Sequence, residues 1–195
     1  APEPPPAAWI ADVARAAAEV DWHRYPDRAA TELRAAIGKT HGVGPEQVFA
    51  ANGSNEVLQC LLLTYGGPGR SVGVFEPTYA LHSHLAHITG TGVLVGERTA
   101  DFALDPDEVE RVVTGGRPTV TFLCSPNNPT GVVEPEDAVR SVLAKVEAVD
   151  GLLLVDEAYG QFAPWSALTL VDELKGENQN LDILRSHRPE YILIL

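Results

Sequence analysis

Residues 119–131 read Thr-Val-Thr-Phe-Leu-Cys-Ser-Pro-Asn-Asn-Pro-Thr-Gly. A short, largely apolar run passes directly into a turn stiffened by Pro126 and Pro129. The run has the pattern of a strand buried on both faces, and the turn that of a rigid loop at its end. An asparagine side chain held in such a loop can donate a hydrogen bond to a ligand oxygen.

The same arrangement recurs along the chain. Residues 71–75 form an apolar run that leads into Glu76-Pro77-Thr78-Tyr79. Residues 152–156 lead into Glu157-Ala158-Tyr159, and residues 92–95 form a further strand-like run. Helical patterns separate these at about 55–65, 79–88, 106–113 and 135–149. The third opens on Asp105-Pro106-Asp107-Glu108, which reads as a capping box with proline at the first helical position. Solidly apolar strands alternating with helices predict an α/β protein, its mostly parallel sheet covered by helices on both faces. Before this alternation, residues 9–20 and 29–41 read as helices, the second facing Leu33 and Ile37 inward and closing at Gly42. Residues 174–195 differ in composition and are read as a surface loop followed by a strand at 191–195.

Composition excludes several functions. The formal charge is −13 without a cluster of Lys or Arg, so binding to nucleic acid or an anionic membrane is not expected. There is no run of membrane-spanning length and no signal-peptide pattern at the start. Cys60 and Cys124 lie in apolar helix-like and strand-like runs and are expected as buried thiols, which suits a reducing cytoplasm. His82, His84 and His87 share one helix with no carboxylate or cysteine at ligand spacing, so no metal is expected. Methionine is absent even at position 1, which suggests that the sequence does not begin where its gene does.

Besides the loop at 125–131, three segments fall where an α/β protein places ligands, past a strand's C-terminal end or at a helix start. Ala51-Asn52-Gly53-Ser54-Asn55-Glu56 runs into an apolar helix. Its small residues and free N–H groups suit a phosphate, though by themselves these residues read first as an ordinary serine cap. Tyr79 could stack on a flat ring or simply pack at a helix start. Asp156 ends an apolar strand, where a carboxylate needs a cationic or hydrogen-bonding partner or caps a helix.

Taken together, Gly-Ser-Asn-Glu, Pro-Thr-Tyr, Ser-Pro-Asn-Asn-Pro-Thr-Gly and Asp-Glu-Ala-Tyr, in this order across about residues 22–160, resemble the fold-type I aminotransferases that use pyridoxal 5′-phosphate (PLP). Arg24-Tyr25-Pro26-Asp27 makes the chain most similar to the histidinol-phosphate aminotransferase branch, which serves histidine biosynthesis. Aromatic aminotransferases and threonine-phosphate decarboxylases share much of the pattern. The resemblance implies the large PLP-binding domain of the aspartate-aminotransferase-like fold at residues 22–195, preceded by an extended segment and helix at 1–21. It implies that Asp156 pairs with the pyridine nitrogen, Asn128 and Tyr159 bind the ring oxygen, and Tyr79 stacks on the ring. Gly53, Ser54 and Asn55 are implied to hold the phosphate, and Tyr25 to reach that of a neighbouring subunit in a homodimer. Small amino and keto acids are the implied substrates.

One expected element is missing. In the family a Ser-x-Ser-Lys or Thr-x-Ser-Lys segment follows, and its lysine bonds to the cofactor. The only lysines here are Lys39, Lys145 and Lys175, none in that context. The chain is therefore expected to be truncated before the catalytic lysine and, alone, to be inactive. A truncated pseudoenzyme or dimerising scaffold is the reading from a different class.

Overall fold

The computed structural model describes residues 4–173, 181–187 and 190–194. The chain divides into two compact units, Ala1–Glu32 and Leu33–Leu195.

In the first unit, α1 (Ala7–Glu19) starts after Pro6 and buries none of its residues, leaving Trp9, Ile10 and Val13 about half exposed. Trp22 Nε1 donates to Ala17 O at 3.0 Å, folding the following turn back on the helix. Asp27 accepts from the N–H groups of Ala29 and Thr31 at 3.0 and 2.7 Å, capping the start of α2 (Thr31–His41).

The second unit is built on a seven-stranded sheet. Its strands are β1 (Val48–Ala51), β2 (Ser71–Glu76), β3 (Gly92–Glu97), β4 (Val120–Cys124), β5 (Leu152–Glu157), β6 (Leu181–His187) and β7 (Glu190–Ile194). The order is β1-β7-β6-β5-β4-β2-β3. Pairings from β3 through β6 are parallel, and β7 runs antiparallel to both β6 and β1. The α/β architecture with a mostly parallel sheet is as the sequence implies.

Period-two alternation along the strands sorts the core into two layers. Val72, Val74, Val120, Phe122 and Leu154 face one way and pack with α3 (Ser54–Tyr65) and α4 (Leu81–Ile88). Phe75, Leu123, Leu153 and Val155 face the other, with α6 (Glu136–Ala148). Val139, Val142, Leu143 and Val146 recur at helical spacing on the buried face of α6. Each contributes about 1.5–3 kcal/mol by leaving water.

Four expectations change. Cys60, expected as a buried thiol, is only partly buried, whereas Cys124 is buried. The run at 106–113 forms α5 (Pro106–Val109) and then widens into a π-helical turn over Glu110–Gly115. The expected capping box forms only in part. Asp105 accepts from Asp107 N–H at 2.9 Å, while the Glu108 carboxylate turns to the Glu97 N–H and to Arg111. Arg111, and next the Glu97 N–H, hold the Glu108 carboxyl down at about 2. Finally, β1 and β6 were not foreseen, nor was α7 (Leu168–Glu173). Residues 181–187, expected as part of the loop before the strand at 191–195, form β6, and residues 174–180 and 188–189 of that loop lie outside the described residues.

Candidate active site

After β3 the chain returns across β2 to form β4, so the strand order reverses between β2 and β4. At such a reversal the connections leave in opposite directions and open a crevice at the strands' C-terminal ends. Four segments meet there.

The first is the start of α3. Gly53 has φ 92°, a conformation that favours glycine, and sets the helix off with no side-chain cap. The first-turn N–H groups have no carbonyl partner within the helix and, with its dipole, favour negative charge there. Ser54 is buried there at 8% exposure, while Asn55 is exposed and Asn52 N–H donates to Glu56 at 2.6 Å.

The second segment leaves β2. Thr78 N–H donates to Glu76 Oε2 at 2.9 Å, turning the chain so that half-buried Tyr79 faces the crevice. One helical turn later comes His82, fully buried. Its ring stacks on Phe122 at 4.6 Å and meets Tyr79 edge-on at 5.5 Å.

The third is the loop after β4. The Glu76–Pro77, Ser125–Pro126 and Asn128–Pro129 bonds are all cis. Asn127 lies inside the loop at 2% exposure, and Asn128 faces the crevice. Glu134 ends the loop with its N–H on Ser125 Oγ at 3.0 Å and its carboxylate on Arg98, both side chains 1% exposed.

The fourth leaves β5, where Cys124 and Asp156 sit side by side in register. Asp156 is 2% exposed. One carboxylate oxygen takes His82 Nε2 at 3.0 Å and the other the Ala158 N–H at 3.0 Å. Because a carboxylate only accepts, Nε2 is the ring nitrogen that bears the proton. Glu157 turns away, accepting from Ser166 Oγ and Ala167 N–H at 2.7 Å each. Burial, and next the Asp156 charge, push the Cys124 thiol up to about 12.

Ser54, Tyr79, Asn128, Asp156 and Tyr159 thus line one cleft of about 70 Å³, together with Cys124 and Ala158. A second hollow of about 280 Å³ shares Asn128 and Tyr159 with it and continues over Pro126, Pro129 and Phe162. Gly53 and Asn55 shape the helix start next to the cleft without lining it. Tyr25 belongs to the other unit and is fully exposed. Sequence reasoning missed His82, considering it only as a metal ligand. Its signal was the three-residue step from Tyr79 within the run read as a helix at 79–88, although α4 itself starts only at Leu81. Asn127 was seen only as part of the turn.

A flat, anion-bearing ligand fits this cleft: a buried acceptor at its floor, an uncapped helix start at one side, and aromatic and amide groups around it. The model of the aminotransferase class I and II family matches residues 1–186, and the chain belongs to that family. A histidinol-phosphate aminotransferase of Mycolicibacterium smegmatis is 44% identical over 181 residues, covering 88% of this chain and 82% of that one. The histidinol-phosphate aminotransferase of Sinorhizobium meliloti, solved in complex with pyridoxal-5′-phosphate, superposes with a TM-score of 0.84 at 20% identity, over 97% of this chain and 52% of that chain. Aspartate aminotransferase of Thermotoga maritima gives a TM-score of 0.83 at 24% identity, over 98% and 55%. The fold is therefore aspartate-aminotransferase-like. The chain spans about half the length of most curated relatives it matches.

Proposed function

We propose that this chain is the PLP-binding part of a histidinol-phosphate aminotransferase. The observation that carries the reading is the cleft itself: Asp156, buried and held by His82 and the Ala158 N–H, faces the same space as Ser54, Tyr79, Asn128 and Tyr159. A carboxylate has lone pairs beyond those two bonds, and a pyridine N–H is a suitable third donor.

Bound PLP supplies a ring that withdraws electrons and stabilises negative charge at an amino substrate's α-carbon. Asp156 keeps the ring nitrogen protonated. The Gly53-Ser54-Asn55 helix start holds the phosphate, Tyr79 covers a ring face, and Asn128 and Tyr159 bind the ring oxygen. Tyr25, fully exposed, reaches the phosphate of a second copy in a homodimer. Residues 22–195 make up part of the large domain. The substrate class, amino and keto acids with histidinol phosphate foremost, is drawn from relatives 44–47% identical that carry that name. Histidine biosynthesis in the cytoplasm is proposed with it. Among the described residues no helix is long and apolar enough to cross a membrane.

Proton transfer at the α-carbon needs a base. Among the described residues no lysine lines the cleft: Lys39 is exposed on α2, and Lys145 pairs with Glu110. The 195-residue chain is accordingly expected to bind PLP without turning over substrate. The test is competition against bound PLP by two stable amines, PLP joined reductively to histidinol phosphate and PLP joined to aspartate. Tighter binding of the first supports the substrate reading, and equal or reversed binding refutes it.

A further inference from the structure

The two segments that face the ring come from different strands, and one side chain joins them. Asn127 Nδ2 donates to Pro77 O at 2.9 Å and to Thr130 Oγ1 at 2.8 Å. Its Oδ1 accepts from Thr78 Oγ1 at 3.0 Å. The backbone closes the turn, with Asn127 N–H on Val132 O and Gly131 N–H on Asn127 O, both at 2.7 Å. Pro77 and Thr78 directly precede Tyr79, and Asn128 directly follows Asn127.

We propose that Asn127 is a positioning residue: its amide clasps the Tyr79 segment to the Asn128 loop and so sets the seat of the cofactor ring. The inference rests on the PLP reading above. A side chain that served only its own turn would be satisfied locally. Here only the Thr130 bond is local, and the bonds to Pro77 and Thr78 span 50 and 49 residues. An amide is also the one group of this size that offers an acceptor and two donors together. Aspartate would lose both donors, and leucine, of similar shape, all three bonds. The phosphate end of the cleft is built separately, on α3, and none of the clasp's bonds reaches it. Loss of the clasp therefore loosens the ring and spares the anion site.

The test uses the whole 195-residue chain as Asn127→Leu, Thr78→Val and Thr130→Val variants. Three readouts apply: the PLP dissociation constant, the circular dichroism induced in the PLP absorption band per bound molecule, and competition by inorganic phosphate. Asn127→Leu is expected to weaken PLP binding by about tenfold, the value of roughly one lost hydrogen bond. It is also expected to remove most of the induced ellipticity and leave the phosphate inhibition constant unchanged. Thr78→Val moves the first two readouts in the same direction by less, and Thr130→Val hardly alters the ellipticity. Unchanged affinity and ellipticity in Asn127→Leu overturn the clasp, as does an equal loss of phosphate competition, which signals general damage. If Asn127→Leu does not fold, Thr78→Val decides by the same readouts. Failure of the unaltered chain to bind PLP overturns the cofactor reading with it, whereas binding that the variants leave untouched overturns the clasp alone.

Discussion

His82 Nε2 lies 3.0 Å from Asp156 Oδ2, with the histidine side chain fully buried and the aspartate 3% exposed. The contact crosses 74 residues of sequence and fixes the carboxylate's direction in the cleft. Replacing His82 by leucine keeps much of the volume and removes the donor. The chain is expected to lose about 1.5–3 kcal/mol, the worth of a hydrogen bond to a charged group. Urea unfolding of the two proteins measures this, and His82→Gln, whose amide N–H can reach the place of the ring Nε2, should lose less.

Arg98, which follows β3, and Glu134, on the loop that carries Asn128, form a second buried pair. Arg98 also binds Phe75 O at 3.2 Å and Phe102 O at 2.9 Å, so it ties the end of β2 to that loop. Either Arg98→Met or Glu134→Leu strands one charge in the interior, at a cost of about 3–5 kcal/mol. The double variant should lose clearly less than the sum of the two. A double-mutant cycle in denaturant gives the coupling, and strict additivity would disprove it.

Much of this arrangement was legible from sequence. The strands at the centre of the sheet announce themselves because both faces are buried: Val120 through Cys124 has no exposed position. The two strands that were not foreseen gave weaker signals. β1 has four residues with mixed burial, and β6 interleaves Asp182, Arg185 and Ser186 with its apolar residues. Ser54, Tyr79, Asn128, Asp156 and Tyr159 were found because a strand's end or a helix's start marks each of them. His82 and Asn127 were not, because what they do depends on partners 74 and about 50 residues away. Local pattern carries no information about such a partner.

Cys124 offers a pH test. Its thiol is pushed up to about 12 from an ordinary 9.0, chiefly by burial. At pH 8 the thiolate fraction is on the order of one in ten thousand, so a thiol reagent should label Cys60 and spare Cys124 until the protein unfolds. The folded state holds the proton more tightly than the unfolded state. Stability is therefore unaffected below pH 9 and falls as the pH rises from about 9 towards 12. Unfolding at pH 8 and pH 10 should differ by about 1 kcal/mol from this group, and Cys124→Ala should remove that part of the difference.

Gly53 and Gly67 separate binding from backbone strain. Both have positive φ, 92° and 106°. Alanine at either is expected to cost roughly 1–3 kcal/mol of stability. Only Gly53→Ala disturbs the start of α3, so it alone should weaken binding of PLP and of inorganic phosphate, by several-fold in an equilibrium titration.

The central claim is that Asp156 and its neighbours form a PLP site. Equilibrium dialysis of the 195-residue chain against PLP, with Asp156→Ala alongside, tests it most directly, followed by borohydride reduction and intact mass. Saturable binding of about one PLP per chain is predicted, weakened at least tenfold in Asp156→Ala and leaving no covalent adduct on a lysine. Absence of binding, or binding indifferent to Asp156, would contradict the account. Stoichiometric fixation to one lysine would contradict its claim that the chain holds the cofactor without that bond.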